Sequence, residues 1–390
     1  MGLAHDAAGP ASSRFFAPLL AVSLFTGVGY ALAGPFLSVF LVKELAAGPL
    51  AVGAFLFADS VAALVVGTLV ARLSDARAVR RDVILVGSVA AAVAYGLFSV
   101  LRDYRLLLVV SLTLVAVASS LVPQVFAYAR QALERAGSAK APLAISALRM
   151  VTSVSWVAGP PVSAVLIDTS GFTGLFGVAA GLYLAAAVVT FALLPEPGGT
   201  SAAPGAGRAD APRRDVVLAA AAFVLLQGGE MLGYLVLPLY VTDVLGGTTS
   251  DAGLVMGLCA ALEIPLMLGF GALALRVDHG RLVLAGGVVA LVYYAAMLPA
   301  TATWQVAVAQ VPRAVVISTV MGVGISYFQA LAPDRPGYAS TLYANTLKVA
   351  AMVSGPLLGL SQVLGYRSAF AISSALTVVG LGLLLAVRRR

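Results

Sequence analysis

Long apolar stretches recur along the whole sequence, and they constrain the fold more than any other feature. Each is about 20 residues long or longer, the length that an α-helix needs to cross the roughly 30 Å hydrocarbon core of a bilayer. Hydrophobic residues make up 61% of the 390 residues and charged residues 11%, whereas soluble proteins average roughly 45–50% and about 25%. The sequence therefore predicts an all-α integral membrane protein.

The apolar pattern predicts twelve transmembrane helices. The first stretch is too long for the apolar region of a signal peptide, and Arg14 is the only lysine or arginine before it. We therefore expect a retained helix rather than a cleaved signal. The predicted spans are 15–42, 49–71, 83–101, 106–129, 141–167, 171–194, 216–242, 251–275, 282–299, 304–330, 338–364 and 367–387.

Basic residues are distributed unevenly between the two sets of loops. Most of the 24 lysines and arginines lie in the termini and in the even-numbered loops. Because such residues accumulate on the cytoplasmic side of a membrane, we expect both termini to face the cytoplasm. This asymmetry accounts for the net charge of +7, so the charge does not call for a nucleic-acid partner.

The sequence offers few groups for metal, cofactor or catalytic chemistry. Cys259 is the only cysteine and lies inside a predicted span, while His5 and His279 lie in a tail and a loop. The phosphate-binding sequence GxxxxGK[ST] is absent, which excludes ATP-driven transport by this chain. We therefore expect no metal site and no cofactor, and the lack of a catalytic constellation argues against an integral-membrane enzyme.

A segment rich in proline, glycine and alanine divides the sequence into two parts. Residues 195–215 read PEPGGTSAAPGAGRADAPRRD, a composition typical of a flexible linker. We expect an N-terminal six-helix half at 1–194, a cytoplasmic linker at 195–215 and a C-terminal six-helix half at 216–390.

The two halves share short motifs in the same order. The Gly-Pro dipeptide at 159–160 in span 5 corresponds to that at 355–356 in span 11. GTLVARLSDARAVRR (67–81), after span 2, likewise corresponds to GALALRVDHGR (271–281), after span 8. A duplicated six-helix unit is the architecture of transporters whose halves rock about a site at the membrane midplane. We therefore expect two pseudo-symmetric six-helix bundles.

These features resemble the major facilitator superfamily, whose loop after span 2 carries a Gly…Asp…Arg-Arg pattern. The Gly-Pro of span 5 also resembles the antiporter motif of that superfamily. A narrower resemblance, to the bacterial sugar efflux transporters, covers most of the chain. It rests on PQVFAYAR (123–130), SALRMVTSVSWVAGPP (146–161), ALEIPLML (261–268), YFQALAP (327–333) and STLYANTLKV (340–349).

The resemblance implies export of small sugars, such as lactose-like disaccharides, glucose and alkyl thiogalactosides, by proton antiport with alternating access. The resemblance also implies a location in the inner membrane of a bacterial cell. The implied partners are a small-molecule substrate and the lipid bilayer, with the chain acting as a monomer. Asp59 and Glu230 stand where the better-known members have amides, and Arg313 is also unusual. Because membrane-embedded acids suit cationic drugs, a multidrug efflux antiporter is the alternative, and a non-transporting sensor on the same fold is a further one.

Six charged residues fall near the middle of predicted spans. A charge at that depth costs roughly 2.5–3.5 kcal/mol on insertion scales, so it usually faces a cavity or a partner. Three acids and three bases indicate mutual neutralisation. They are Asp59, Arg149, Glu230, Glu263, Arg313 and Lys348.

Helical spacing assigns candidate sugar-binding groups to particular faces. Span 5 places a cation and a flat aromatic side chain on one stripe, and span 11 places an amide and a cation on the equivalent stripe. Span 7 carries a further amide and a carboxylate on one face. The predicted substrate-binding residues are Arg149, Trp156, Gln227, Glu230, Asn345 and Lys348.

Proton coupling needs a group that gains and loses a proton, and no predicted span contains a histidine. The candidates are therefore the carboxylates Glu263, Glu230 and Asp59. Glu263 ranks first because it lies in a stretch that matches the family.

Gating is assigned partly by resemblance to the superfamily and partly by residue type. At the cytoplasmic mouth the resemblance assigns it to Asp75, Arg80 and Arg81, with second-half counterparts in Asp278 and Arg281. Inside spans, Gly159, Pro160, Gly355 and Pro356 are expected to allow close helix packing and bending at a gate.

Overall fold

The computed structural model describes residues 10–77, 79–135, 141–195, 214–333 and 335–387, and every regular element in these ranges is helical. The α-helices of the first half are α1 (Pro10–Ala33), α2 (Leu37–Val39), α3 (Pro49–Arg77), α4 (Arg80–Val100), α5 (Tyr104–Val110), α6 (Ala116–Ala118), α7 (Leu121–Arg135) and α8 (Ala141–Leu193). Those of the second half are α9 (Arg214–Leu239), α10 (Thr249–Leu273), α11 (His279–Met297), α12 (Thr303–Val316), α13 (Gly324–Leu331), α14 (Pro336–Leu364) and α15 (Ser368–Ala386).

Eleven helical runs within the described ranges are long and apolar enough to cross a membrane. One of them, Ile145–Leu193, contains a break at Gly171, where φ is 65° and ψ is −170°. Glycine adopts this positive φ readily because it lacks a Cβ atom. The break lies at the predicted boundary between spans 5 and 6, so the prediction of twelve spans is confirmed.

Two π-helical segments within the described residues occupy corresponding places in the two halves. Phe40–Glu44 ends span 1, and Tyr240–Val244 ends span 7. Each is followed by a positive-φ residue, Ala46 and Gly246, at the same distance from the segment. Spans 4 and 10 also contain π-helical segments, Ser111–Val115 and Ile317–Val323, but these follow helices of 7 and 14 residues and so lie at different heights. Because π-helical turns are rare, the matching pair in spans 1 and 7 supports the duplicated unit that the sequence predicts.

The helices form two compact units. Unit 1 comprises Met1–Ala33, Ala62–Gly159 and Phe172–Ala203, and unit 2 comprises Gly34–Val61, Pro160–Gly171 and Pro204–Arg390. Unit 2 thus contains the second half together with the ends of spans 1, 2 and 5. The proposed division of the chain at 194 and 216 stays a prediction, because most of the linker lies outside the described residues.

Aromatic side chains fill the interior of each unit. In unit 1, Tyr95 stacks on Phe176 and on Tyr183, with ring centroids 6.1 and 5.4 Å apart. In unit 2, Phe223 on α9 stacks on Tyr327 at 5.7 Å, and α9 packs along α14 and α15. This central position of α9 places its polar residues inside the helix bundle.

Candidate functional site: a buried charge cluster

A buried ion pair joins α9 to α12. The Nε atom of Arg313 donates to Oε1 of Glu230 at 2.7 Å, and each residue is only 4% exposed. Removing two charges from water costs several kcal/mol per ion, and only close, well-bonded geometry offsets that cost. The pair therefore gives each charge the partner that it needs at this depth.

The Arg313 guanidinium has two further neighbours in the same bundle. Its Nη1 atom donates to Oε1 of Gln310 at 3.4 Å, and its Cζ atom lies 6.0 Å from the centroid of the Tyr293 ring. Gln310 itself donates to the Val306 carbonyl at 2.9 Å, which fixes the orientation of its amide. These contacts hold the guanidinium in place from two helices.

A second carboxylate lies on α10, which packs against α12. The Cys259 thiol donates to Oε1 of Glu263 at 3.4 Å, one helical turn away. Electrostatic interactions also connect the Glu263 carboxyl to Arg313 and to Glu230. Glu263 is half-buried, in contrast to the enclosed Glu230.

Several buried polar groups surround this cluster. They are the amide of Gln227, Oε2 of Glu230 and the hydroxyls of Tyr293, Tyr294 and Thr377. Tyr294 lies near Thr377, Tyr293 near Gln310 and Gln227 near Tyr343. The interior of the second half is therefore polar around Glu230.

Two glycines of α9 make room for one of these side chains. A Cβ atom on Gly229 would lie 3.2 Å from the Tyr294 hydroxyl, and one on Gly233 would lie 3.9 Å from the Tyr294 ring. The Tyr294 ring thus packs directly on the α9 backbone beside Glu230. Sequence reasoning missed this tyrosine, although the spacing of the two glycines marked a groove on α9.

The other predicted substrate-binding residues occupy more open positions. In unit 1, Arg149 is exposed, and the half-buried Trp156 packs edge to face on Tyr30 with centroids 5.7 Å apart. In unit 2, Asn345 and Lys348 are both exposed on α14. Gln227 is 1% exposed, so Gln227 and Glu230 lie inside the bundle, and sugar binding by all six residues stays a prediction.

Asp59, the third predicted proton-coupling residue, lies on α3 in the part that belongs to unit 2, and it is half-buried. The structure brings Glu230 and Glu263 into one cluster through Arg313. Arg313 neutralises Glu230 at 2.7 Å, whereas Glu263 has no ion pair within the described residues, so mutual neutralisation of all six mid-depth charges stays a prediction.

The predicted gating residues at the ends of spans 2 and 8 have individual structural partners. Arg81 donates to the Phe191 carbonyl at 2.8 Å, and Arg80 is buried. Asp278 accepts from the Arg281 backbone N–H at 3.0 Å and so caps α11, while the Arg281 side chain is exposed. The Asp75 side chain lies outside the described residues, and gating by this group stays a prediction.

The Gly-Pro dipeptides lie where helices approach closely. A Cβ atom on Gly159 would lie 2.5 Å from the Cβ of Ala31, and one on Gly355 would lie 2.8 Å from the Cβ of Leu56. Pro160 plays a similar part within unit 2, because a Cβ atom on Gly253 would lie 2.6 Å from its carbonyl oxygen. These distances support the predicted role of the motif in close helix packing.

An ion pair that the sequence reasoning missed lies in unit 2, where the odd-numbered loops after spans 1 and 7 begin. The Lys43 Nζ atom lies 2.6 Å from Oδ1 of Asp243 and donates to the Thr242 hydroxyl at 3.1 Å. Nearby, Ser38 donates to the Leu235 carbonyl at 2.8 Å. The two charged residues hold equivalent positions after spans 1 and 7, which is the signal that could have identified them.

The sequence profile of the Major Facilitator Superfamily matches residues 19–356, which is most of the chain. The chain belongs to the Major Facilitator Superfamily. It is therefore a transporter rather than an enzyme, and a multi-pass protein of the bacterial inner membrane, as the sequence predicts. Its substrate is a small molecule.

Curated relatives place the chain among the bacterial sugar efflux transporters of this superfamily. A protein of Deinococcus radiodurans named as a sugar efflux transporter is 35% identical over 377 residues, which cover 94% of this chain and 96% of the relative. Sugar efflux transporter B of Salmonella typhimurium is 34% identical over 90% of each chain. Sugar efflux transporter A of Dickeya chrysanthemi is 32% identical over 92% of this chain and 91% of its own.

Solved structures confirm the major facilitator fold. The nucleoside transporter NupG superimposes with a TM-score of 0.78 at 13% identity, covering 95% of this chain and 98% of that one. A peptide transporter of the POT family gives a TM-score of 0.76 at 13% identity, covering 98% of both chains. At such low identity the likeness shows the fold alone.

Proposed function

We propose that this chain exports small sugars or sugar-like compounds across the inner membrane by proton antiport with alternating access. The observation that carries the proposal is its similarity, over at least 90% of its length, to proteins named as sugar efflux transporters. In this proposal both termini face the cytoplasm, and the chain works as a monomer in the lipid bilayer. The proton gradient drives transport, and no cofactor is needed.

Arg149 and Trp156 of the first half and Asn345 and Lys348 of the second half are the proposed sugar contacts. Arg149, Asn345 and Lys348 are exposed, which leaves their hydrogen-bonding groups accessible, whereas Trp156 is half-buried. Arg149 and Lys348 supply charged donors for hydroxyl groups, and the Trp156 ring supplies a flat face for the C–H side of a sugar. Glu263, Glu230 and Asp59 remain the proposed proton-coupling carboxylates.

Inverted membrane vesicles from cells that produce the chain provide the test. With an acidic lumen, proton efflux should drive uptake of radiolabelled lactose, glucose or an alkyl thiogalactoside, and an uncoupler should abolish it. Vesicles from cells that lack the chain are the control. Uptake of lipophilic cations without uptake of any sugar would overturn the proposal.

The second candidate function is multidrug efflux, which the membrane-embedded acids favour. The structure weakens that argument for Glu230, because Arg313 neutralises its charge at 2.7 Å. Asp59→Asn and Glu230→Gln together should then leave drug resistance unchanged in a drug-sensitive host. A loss of resistance in that double variant would favour the drug antiporter.

A further inference from the structure

We infer that Glu230, Arg313 and Glu263 form a triad in which one cation serves two carboxylates, with Glu263 carrying the exchangeable proton and Arg313 acting as its positioning residue. The inference rests on the proposed proton-coupled function. It narrows the proton carrier to one of three carboxylates and assigns a role to an arginine that the family resemblance leaves unexplained.

Glu230 already has a full counter-charge. Its Oε1 atom accepts from Arg313 Nε at 2.7 Å, and both side chains are almost completely enclosed. A carboxylate held this closely by a guanidinium is stabilised in its ionised form. Glu230 is therefore the fixed acid of the cluster.

Within the described residues, Glu263 lacks a cation of its own. Within the described residues it has a hydrogen bond from the Cys259 thiol at 3.4 Å and no ion pair. A neutral thiol is a weak donor and does not offset the cost of a buried negative charge. A proton on Glu263 removes that cost, and its half-buried position leaves a route for the proton to reach it.

Other titratable groups lie on the helices that surround the cluster. α11 carries Tyr293 and Tyr294, with His279 and Arg281 in its first turn, α13 carries Tyr327, and α15 carries none. α14 carries Tyr338, Tyr343, whose hydroxyl donates to the Met321 carbonyl, and Lys348, whose side chain is exposed. The remaining titratable groups of α9 and α10 are Arg214, Asp215, Tyr234, Asp251 and Cys259. Within the described helices of the second half, Arg313 is thus the cation that is buried with the two acids.

The net charge of the triad changes when Glu263 gains or loses its proton. With Glu263 protonated, the triad is neutral and Arg313 stays with Glu230. When Glu263 releases its proton to water, the triad carries one net negative charge, and two carboxylates compete for one guanidinium. The hydrogen bonds of Arg313 use Nε and Nη1, so its remaining N–H groups are able to turn toward Glu263. Proton release thereby weakens the link between α9 and α12.

Infrared difference spectroscopy of the purified full-length protein tests the triad without any substrate. At neutral pH the parent should show the C=O band of a protonated carboxyl group, and Glu263→Gln should lack it. Glu230→Gln should also lack it, because Arg313 then pairs with Glu263 and holds it ionised. The double variant Glu230→Gln/Arg313→Gln should regain it, because no cation remains.

Asp215→Asn, on the same helix as Glu230, is the matched control and should keep the band. Loss of the C=O band in Glu230→Gln and its recovery in the double variant would not follow from a purely structural role of these residues. The double variant also leaves no buried arginine without a partner, which matters if Glu230→Gln folds poorly. A band that persists in Glu263→Gln, or that is unaffected by Glu230→Gln, would overturn the inference. Lactose antiport without these spectra would refute the triad alone, whereas these spectra without any sugar transport would refute the proposed function alone.

Discussion

Lys43 and Asp243 form an ion pair of 2.6 Å within unit 2, and they occupy the same place after the first and the seventh span of a duplicated chain. Duplication has thus placed opposite charges at equivalent positions, where the two segments meet. Their side chains are 43% and 32% exposed, so solvent screens the attraction and the pair contributes at most about 1 kcal/mol.

Reversing one charge of this pair should destabilise the local structure of the two segments that follow spans 1 and 7. Lys43→Glu places two negative charges together, and we expect faster amide hydrogen exchange in residues 38–47 and 240–247. The swap Lys43→Glu/Asp243→Lys should restore slow exchange. Glu44→Gln is the neighbouring control, and equal effects of the single and swapped variants would contradict the role of the pair.

Arg313→Gln should lower the thermal unfolding midpoint strongly, because it leaves Glu230 enclosed without its counter-charge. Breaking a buried pair in this way typically costs about 3–5 kcal/mol. The double variant Glu230→Gln/Arg313→Gln should unfold at a higher temperature than Arg313→Gln alone. Thermal unfolding in detergent measures both, with the exposed Arg276→Gln as the control. If the double variant unfolds at the same temperature as Arg313→Gln, the unpaired Glu230 carboxyl is not the cause of the instability.

Adding a methyl group at Gly159 or Gly355 should destabilise the protein. The new Cβ atom would overlap Ala31 in the first case and Leu56 in the second, and overpacking of this kind costs about 1–3 kcal/mol. Gly177→Ala is the matched control, because its Cβ atom would have no neighbour within 4 Å. Thermal unfolding should therefore distinguish the two motif glycines from Gly177.

Asn345→Ala and Lys348→Ala should each weaken sugar binding about 10-fold, since a hydrogen bond that involves a charged group contributes about 1.5–3 kcal/mol and a neutral one somewhat less. Both side chains are exposed on α14, so folding should survive. The measurement is the thermal shift caused by lactose. Leu360→Ala, an exposed apolar residue on the same helix, is the control, and unchanged shifts in both variants would remove α14 from the binding site.

Apolar length and periodicity were sufficient to predict the spans, because the bilayer imposes one dimension on every helix. The break at Gly171 was also visible, since a glycine there opens span 6. The N-cap formed by Asp278 could have been identified from its position just before an apolar helix. These features depend on local sequence alone.

The partner of Glu230 could not be identified from sequence. The list of mid-depth charges contained Arg313, but pairing depends on the rotation and tilt of α9 against α12, which lie 83 residues apart at the contact. Helical spacing places Gln227 and Glu230 on one face of α9, and both residues are buried. Whether that face meets a cavity or the bundle interior is decided by packing of α14 and α15 around α9.

The π-helical segments that end spans 1 and 7 indicate which came first in the evolution of this gene, a one-residue insertion or the duplication. A π-helical turn accommodates one more residue than the α-helical turn that it interrupts, and a one-residue insertion is the simplest way to make one. Such segments occupy matching places at the ends of spans 1 and 7, whereas those in spans 4 and 10 follow helices of 7 and 14 residues. The most economical history has the first insertion in an ancestral six-helix gene, before that gene was copied and fused to itself, and the other two insertions in the separate copies afterwards.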